Sequence, residues 1–156
     1  MNAMRRWRLA ALACLLAAVP LAAEPPQAQP EPVKLSVVAI CAHNRDENVD
    51  PRLKCMAEEI RKAVPQLTGF KVGKMYCKPV PVGTRETFKL VDDQEVVLTV
   101  VPGANKGDLQ IKVTPPQMGE VTYETSCGNF FTIITKYRTK KNEVLILAVR
   151  VQPCKK

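Results

Sequence analysis

The chain has 156 residues, with 23 Lys plus Arg against 15 Asp plus Glu, a net charge of +8, and 46% hydrophobic residues. That is enough apolar material for one packed domain and too balanced a composition for a disordered polyelectrolyte. One histidine and two serines in the whole chain leave little material for a serine or histidine catalytic centre.

Residues 1–23 read as a secretory signal peptide. Arg5, Arg6 and Arg8 precede an apolar run from Leu9, and Pro20-Leu-Ala-Ala23 supplies small residues before Glu24. The run is too short for a membrane span, which needs about 20 apolar residues, so no transmembrane segment is expected once the signal is gone. Lipidation at Cys14 is disfavoured, because apolar sequence continues past it and Ala11 sits where a larger aliphatic is usual. The expected location is periplasmic or fully secreted. Removing 1–23 lowers Lys plus Arg from 23 to 20, leaves the acids at 15 and brings the net charge to +5. Glu24 to Pro32, EPPQAQPEP, is a proline-rich linker. Residues 33–156 are expected to form one domain.

Val33 to Cys41, VKLSVVAIC, is short, β-branched and apolar, and reads as a strand. Asp50-Pro51 opens a helix: the carboxylate can accept from the free first-turn amides, and proline is tolerated at the first position. Leu53, Met56, Ala57, Ile60 and Val64 then fall on one helix face, opposite Arg52, Lys54, Glu58, Arg61 and Lys62. Pro65 and Gly69 end it. Strands are expected over 70–77, 86–91, 95–101, 109–114, 120–125, 130–139 and 143–152, separated by proline, glycine, asparagine and aspartate turns. Glu143-Val-Leu-Ile-Leu-Ala-Val149 is apolar on both faces, so it should be a central strand covered on both sides. The expected fold is α+β: one strand-helix-strand unit, then an antiparallel meander of about six strands, with the single helix packed on the sheet.

The polar stretch Cys41 to Cys55, CAHNRDENVDPRLKC, invites three chemistries. Asp46-x-Asn48-x-Asp50 matches the opening of a calcium loop, but Pro51 stands where that loop needs glycine and Ala57 where it needs a bidentate glutamate. Five cysteines remain after the signal, which in an exported chain suggests two bridges and one thiol left over. A right-handed parallel crossover would gather Cys41, Cys55 and Cys77. Cys55 lies on the polar helix side, so Cys55–Cys77 and Cys127–Cys154 are the expected bridges and Cys41 the leftover thiol. Each bridge closes a loop of roughly 20 to 30 residues, worth about 3 kcal/mol in the chain-entropy account. Cys41–Cys77 with Cys55 free is the competing pairing. Cys41, His43, Cys55 and Cys77 are also the right ligand types for zinc, but they lack a close Cys-x-x-Cys pair.

No catalytic constellation is visible. Ser36 lies within a strand, Ser126 precedes a cysteine, and no Gly-x-Ser-x-Gly elbow occurs. A Cys41/His43 nucleophile pair would stand about 6–7 Å apart along a strand. Neither Gly103 nor Gly107 is followed by Lys-Ser/Thr, so no phosphate-cradling loop is present. The most basic segment is Lys136-Tyr137-Arg138-Thr139-Lys140-Lys141, with Arg150 on the next strand. It could hold an anionic polymer, or only guard a sheet edge against aggregation. Two readings follow. The first is a small exported non-catalytic binding or envelope-associated module, without a cofactor, whose partner is a protein or an anionic polymer rather than nucleic acid. The second is a thiol-redox or zinc protein using Cys41, His43, Cys55 and Cys77.

Overall fold

A computed structural model describes residues 31–125 and 128–153. The expected signal peptide and most of the linker lie outside the described residues, as do Cys127 and Cys154 and hence their expected bridge.

The chain forms β1 (Val33–His43), α1 (Lys54–Ala63), β2 (Gly69–Val80), β3 (Arg85–Lys89), β4 (Glu95–Pro102), β5 (Leu109–Thr114), β6 (Val121–Thr125), β7 (Phe131–Arg138) and β8 (Val144–Pro153). These strands make two four-stranded sheets, ordered β2-β1-β8-β7 and β3-β4-β5-β6. Every strand pair in both sheets is antiparallel. The described residues therefore form an α+β fold with one α-helix.

Alternation within the central strands sets the layers. On β1, Leu35, Val37 and Ala39 face one way, and on β8 Leu145, Leu147, Val149 and Val151 join them. Against these pack Phe88 and Leu90 beside β3, Val96, Leu98 and Val100 of β4, and Ile111 and Val113 of β5. The opposite faces present Val38, Ile40, Ala42, Val144, Ile146 and Ala148 to Leu53, Ala57 and Ile60 of the helical segment. The order of layers is helix, sheet, sheet. The expectation that 143–149 forms a central strand covered on both sides is met, and β1 shares that position.

Asp50 starts the helical segment as its sequence predicts. Its side chain accepts from the Arg52 backbone N–H at 3.0 Å, and Pro51 follows within a single 3₁₀ turn. The chain then leaves α1 and runs back antiparallel to β1. The expected parallel crossover is therefore replaced by an antiparallel return. The six-strand meander also divides: β3 to β6 build the second sheet, and the β7–β8 hairpin rejoins the first.

β7 carries an irregularity that positions the site described below. Ile134 pairs with Ile146 but Arg138 with Val144, so β7 holds two more residues than its partner over this stretch. Buried Thr135 offsets the disrupted ladder: its hydroxyl donates to the Leu145 carbonyl at 2.7 Å and accepts from the Tyr137 N–H at 3.2 Å.

Leu147 is fully buried between the sheets. Leu147→Ala is expected to lower unfolding free energy by about 2–5 kcal/mol, read as a reduced midpoint with unchanged slope in denaturant titration. An unchanged midpoint would contradict the two-sheet core.

Candidate anion-binding site

The ends of β1 and β8 that lie beside the β7–β8 turn meet the start of β2 at one end of the sandwich. Glu143 is the pivot there. It is only 2% exposed, yet it carries a carboxylate. Its Oε1 lies 2.6 Å from Lys71 Nζ and 2.8 Å from Arg45 Nη2. Its backbone N–H donates to Thr139 Oγ1 at 3.1 Å, and its carbonyl accepts from the Thr139 N–H at 2.9 Å. Burial pushes the Glu143 carboxyl up, but the Lys71 contact and then Arg45 outweigh it and hold the group below the usual glutamate range. Arg45 and Lys71 are half-exposed, so water screens their share of the attraction. The clamp joins the loop after β1, the edge strand β2 and the hairpin.

A second contact ties the same hairpin to the other sheet. Asp92 Oδ2 accepts from the Lys140 backbone N–H at 2.8 Å and from the Tyr137 hydroxyl at 3.3 Å. Asp92 and Asp93 both adopt left-handed backbone, φ 52° and 59°, a conformation that aspartate tolerates in turns.

Cys41 lies against this clamp, buried beside Gly73. Burial, followed by the negative charge of Glu143, pushes its thiol up to about 11. It stays protonated at neutral pH, so it is neither a ready nucleophile nor a ready metal ligand. Nor does His43 act as its base: His43 Nδ1 accepts from the Arg45 backbone N–H at 3.4 Å. The His43 ring lies over Gly69, where an added Cβ would meet its Cε1 at 2.2 Å. Glycine at 69 is what lets the ring settle there.

Neither the expected Cys55–Cys77 bridge nor the competing Cys41–Cys77 pairing is formed. Cys55 and Cys77 are both free and exposed, and Cys41 is free and buried. The physical reason is strand direction. In the antiparallel pairing Cys41 stands opposite Lys71, while Cys77 stands opposite Ser36 near the far end of β1. Cys77 Sγ lies 3.5 Å from Ser36 Oγ. Cys55, on α1, lines a different groove with Gly128 and Phe130. The quartet of zinc-type ligands is thus spread over separate places. Among the described residues no group of three or more His, Cys, Asp or Glu is arranged to hold a metal ion.

The basic cluster divides as well. Arg150 pairs with Ser36, and its guanidinium lies 4.4 Å from the centre of the Phe130 ring. Arg150 lies six residue steps from Val144, about 20 Å along the strand, so it does not join the hairpin charges. Tyr137 packs against the inter-sheet core and bonds to Asp92, which removes it as a free stacking platform. Lys136 and Arg138 instead line a groove of about 470 Å³. Its other polar residues are His43, Asn44, Gln66, Asn142 and Thr135, whose hydroxyl is already bonded, beside apolar Val64, Leu67, Ile134 and Val144. No carboxylate lines it. Among the described residues Lys136, Arg138, Lys140 and Lys141 form no salt bridge, whereas Arg45, Lys71 and Lys78 do. Sequence reasoning found Lys136 and Arg138 by charge alone. It missed Asn44, Gln66 and Asn142, which carry no local signal and come together only through the tertiary fold.

No protein-family model, curated protein or solved structure matches this chain.

Two expectations follow. Glu143→Gln should destabilise the fold by about 1–3 kcal/mol at neutral pH, since it weakens charge-assisted bonds to a buried group. Glu143 titrates lower in the folded state than unfolded, so its contribution is present above the ordinary glutamate range and is lost as pH falls through the folded value. The variant should therefore lose less stability on acidification than the parent, as followed by thermal melts from neutral pH to below about pH 4, the ordinary glutamate range. Identical acid limbs would refute the clamp. Second, under reducing conditions Cys55 and Cys77 should alkylate quickly in the native protein and Cys41 only after denaturation, read by intact mass and peptide mapping.

Proposed function

We propose that this chain is an exported, non-catalytic binding module whose β7–β8 hairpin engages an anionic partner. The observation that carries this reading is a set of four cations on one hairpin, Lys136, Arg138, Lys140 and Lys141, that form no salt bridge among the described residues; Lys136 and Arg138 line a groove without carboxylates, and Lys140 and Lys141 line the neighbouring one beside Asp92 and Glu143. Charges whose only task is to guard an edge strand need no concavity beside them. Elsewhere Lys78 pairs with Glu86, Arg52 with Asp50, Lys62 with Glu59, and Lys71 and Arg45 with Glu143, while cations in no salt bridge among the described residues, such as Lys74, Lys89, Lys106 and Lys112, are scattered along β2, β3, the β4–β5 turn and β5. Leaving four uncompensated on one hairpin concentrates positive potential at one end of the molecule, which raises the local concentration of a polyanion and speeds its encounter.

The test compares two quadruple variants with equal net charge. Lys136→Gln, Arg138→Gln, Lys140→Gln and Lys141→Gln together neutralise the hairpin. Lys74→Gln, Lys89→Gln, Lys106→Gln and Lys112→Gln neutralise four other exposed lysines. Binding of each to polyphosphate is measured against salt concentration. The hairpin variant should bind more weakly and flatten the salt dependence, by roughly one unit of slope for each cation that no longer meets a phosphate, while the second variant stays close to the parent. Equal losses in both variants would reduce the effect to net charge and overturn the hairpin as the site.

A further inference from the structure

We infer that the groove beside the hairpin is a discrete subsite for a phosphomonoester, the chemical unit by which the anionic partner is held; this rests on the reading of the hairpin just given.

The geometry favours a compact dianion over a diffuse charged surface. Lys136 and Arg138 are two residues apart on β7 and both line the groove; Tyr137 is turned against the inter-sheet core, and Thr135, which also lines the groove, has its hydroxyl engaged by the Leu145 carbonyl and the Tyr137 N–H. Two full positive charges thus face one concavity, and neither is spent on an ion pair among the described residues. Arginine presents a planar fork that grips two oxygens of one oxyanion, and lysine adds a compact point charge. Asn44, Gln66 and Asn142 add amide N–H donors at the rim. His43 contributes through its tautomer. Because Nδ1 accepts from the Arg45 N–H, the neutral ring carries its proton on Nε2 and can donate from there. A phosphate group, with several acceptor oxygens and close to two charges, can satisfy such a set of donors; a carboxylate offers one charge and two oxygens.

One feature opposes an anion and is outweighed. The groove reaches Val64, just past the C-terminal end of α1, where the helix presents about half a negative charge. Arg61 and Lys62 in the last turn counter that partial charge locally, and Lys136 and Arg138 exceed it severalfold. Size gives the other half of the ligand. A groove of about 470 Å³ lies within the range of small-molecule sites and leaves room beyond an inorganic phosphate. Apolar Leu67, Ile134 and Val144 suit the organic part of an ester.

The experiment titrates the intact exported protein with phenyl phosphate and follows backbone and side-chain amide resonances by NMR. Saturable one-to-one shifts concentrated at Asn44, Gln66 and Asn142 are expected. Arg138→Gln should weaken binding by about tenfold or more. Arg138→Lys, which keeps the charge and loses the fork, should fall between. Lys112→Gln, on the other sheet, should match the parent. Benzoate should bind distinctly more weakly than phenyl phosphate; equal affinity would overturn the phosphomonoester assignment. Absent or non-saturable shifts at the groove would overturn the subsite, and if polyphosphate binding by the hairpin persists, the hairpin reading survives without it. A lipid headgroup and a soluble ester carry the same group. Co-sedimentation with phosphatidylcholine vesicles containing phosphatidic acid, competed by phenyl phosphate, would assign the lipid source. Titration by phenyl phosphate without co-sedimentation would assign the soluble one.

Discussion

Everything at the candidate site depends on two strands that are apolar on both faces. β1 and β8 bury Leu35, Val37, Leu145, Leu147 and Val149 on one side and Val38, Ile40, Ile146 and Ala148 on the other. Each buried aliphatic is worth about 1.5–3 kcal/mol relative to exposure, so neither face can be left to water. The chain meets that demand with the helix on one face and the β3–β6 sheet on the other. Once β1 and β8 are adjacent and antiparallel, the end of one and the start of the other must meet. That meeting point is where His43, Glu143 and the hairpin converge.

The polar corner is a consequence of that geometry. Burying Glu143 at the mouth of the hairpin would be costly without partners. Lys71 from the edge strand and Arg45 from the loop supply them, and three segments of chain are thereby held to one carboxylate. Charge at this corner is consequently sorted. Glu143 is occupied by Lys71 and Arg45, and Asp92 by the Lys140 backbone N–H and the Tyr137 hydroxyl, while the side chains of Lys136, Arg138, Lys140 and Lys141 form no salt bridge among the described residues. Cys41, the most suggestive residue in the opening polar stretch, is recruited to the packed side of the corner, where its thiol is held protonated.

Much of the architecture was legible in the sequence because its signals are local. The Asp50-Pro51 helix start, the Leu53/Ala57/Ile60 face and the doubly apolar 143–149 strand each report on a few neighbouring residues, and each is found in the fold. Strand pairing is not local. A strand, a helix and a strand are compatible with a parallel crossover or an antiparallel return, and the choice depends on where β8 inserts, far along the chain. The expected cysteine pairing and the zinc quartet both rested on the crossover, since the bridge required Cys77 near Cys55 and the quartet required it near Cys41 as well. The antiparallel register puts Cys77 at Ser36 instead. Lys136 and Arg138 stood out by charge, but the alternation that separates them from Tyr137 and the distance that separates them from Arg150 are products of the irregularity and of strand length.

The claim that an anion is bound at this corner is tested most directly by hydrogen–deuterium exchange on the protein, with and without polyphosphate, because that measurement presupposes no site. Added protection should be confined to residues 134–144 and to the adjoining segments 43–45 and 64–67. Protection centred on the β4–β5 or β5–β6 turns of the other sheet, or an unchanged pattern at a saturating concentration, would contradict it.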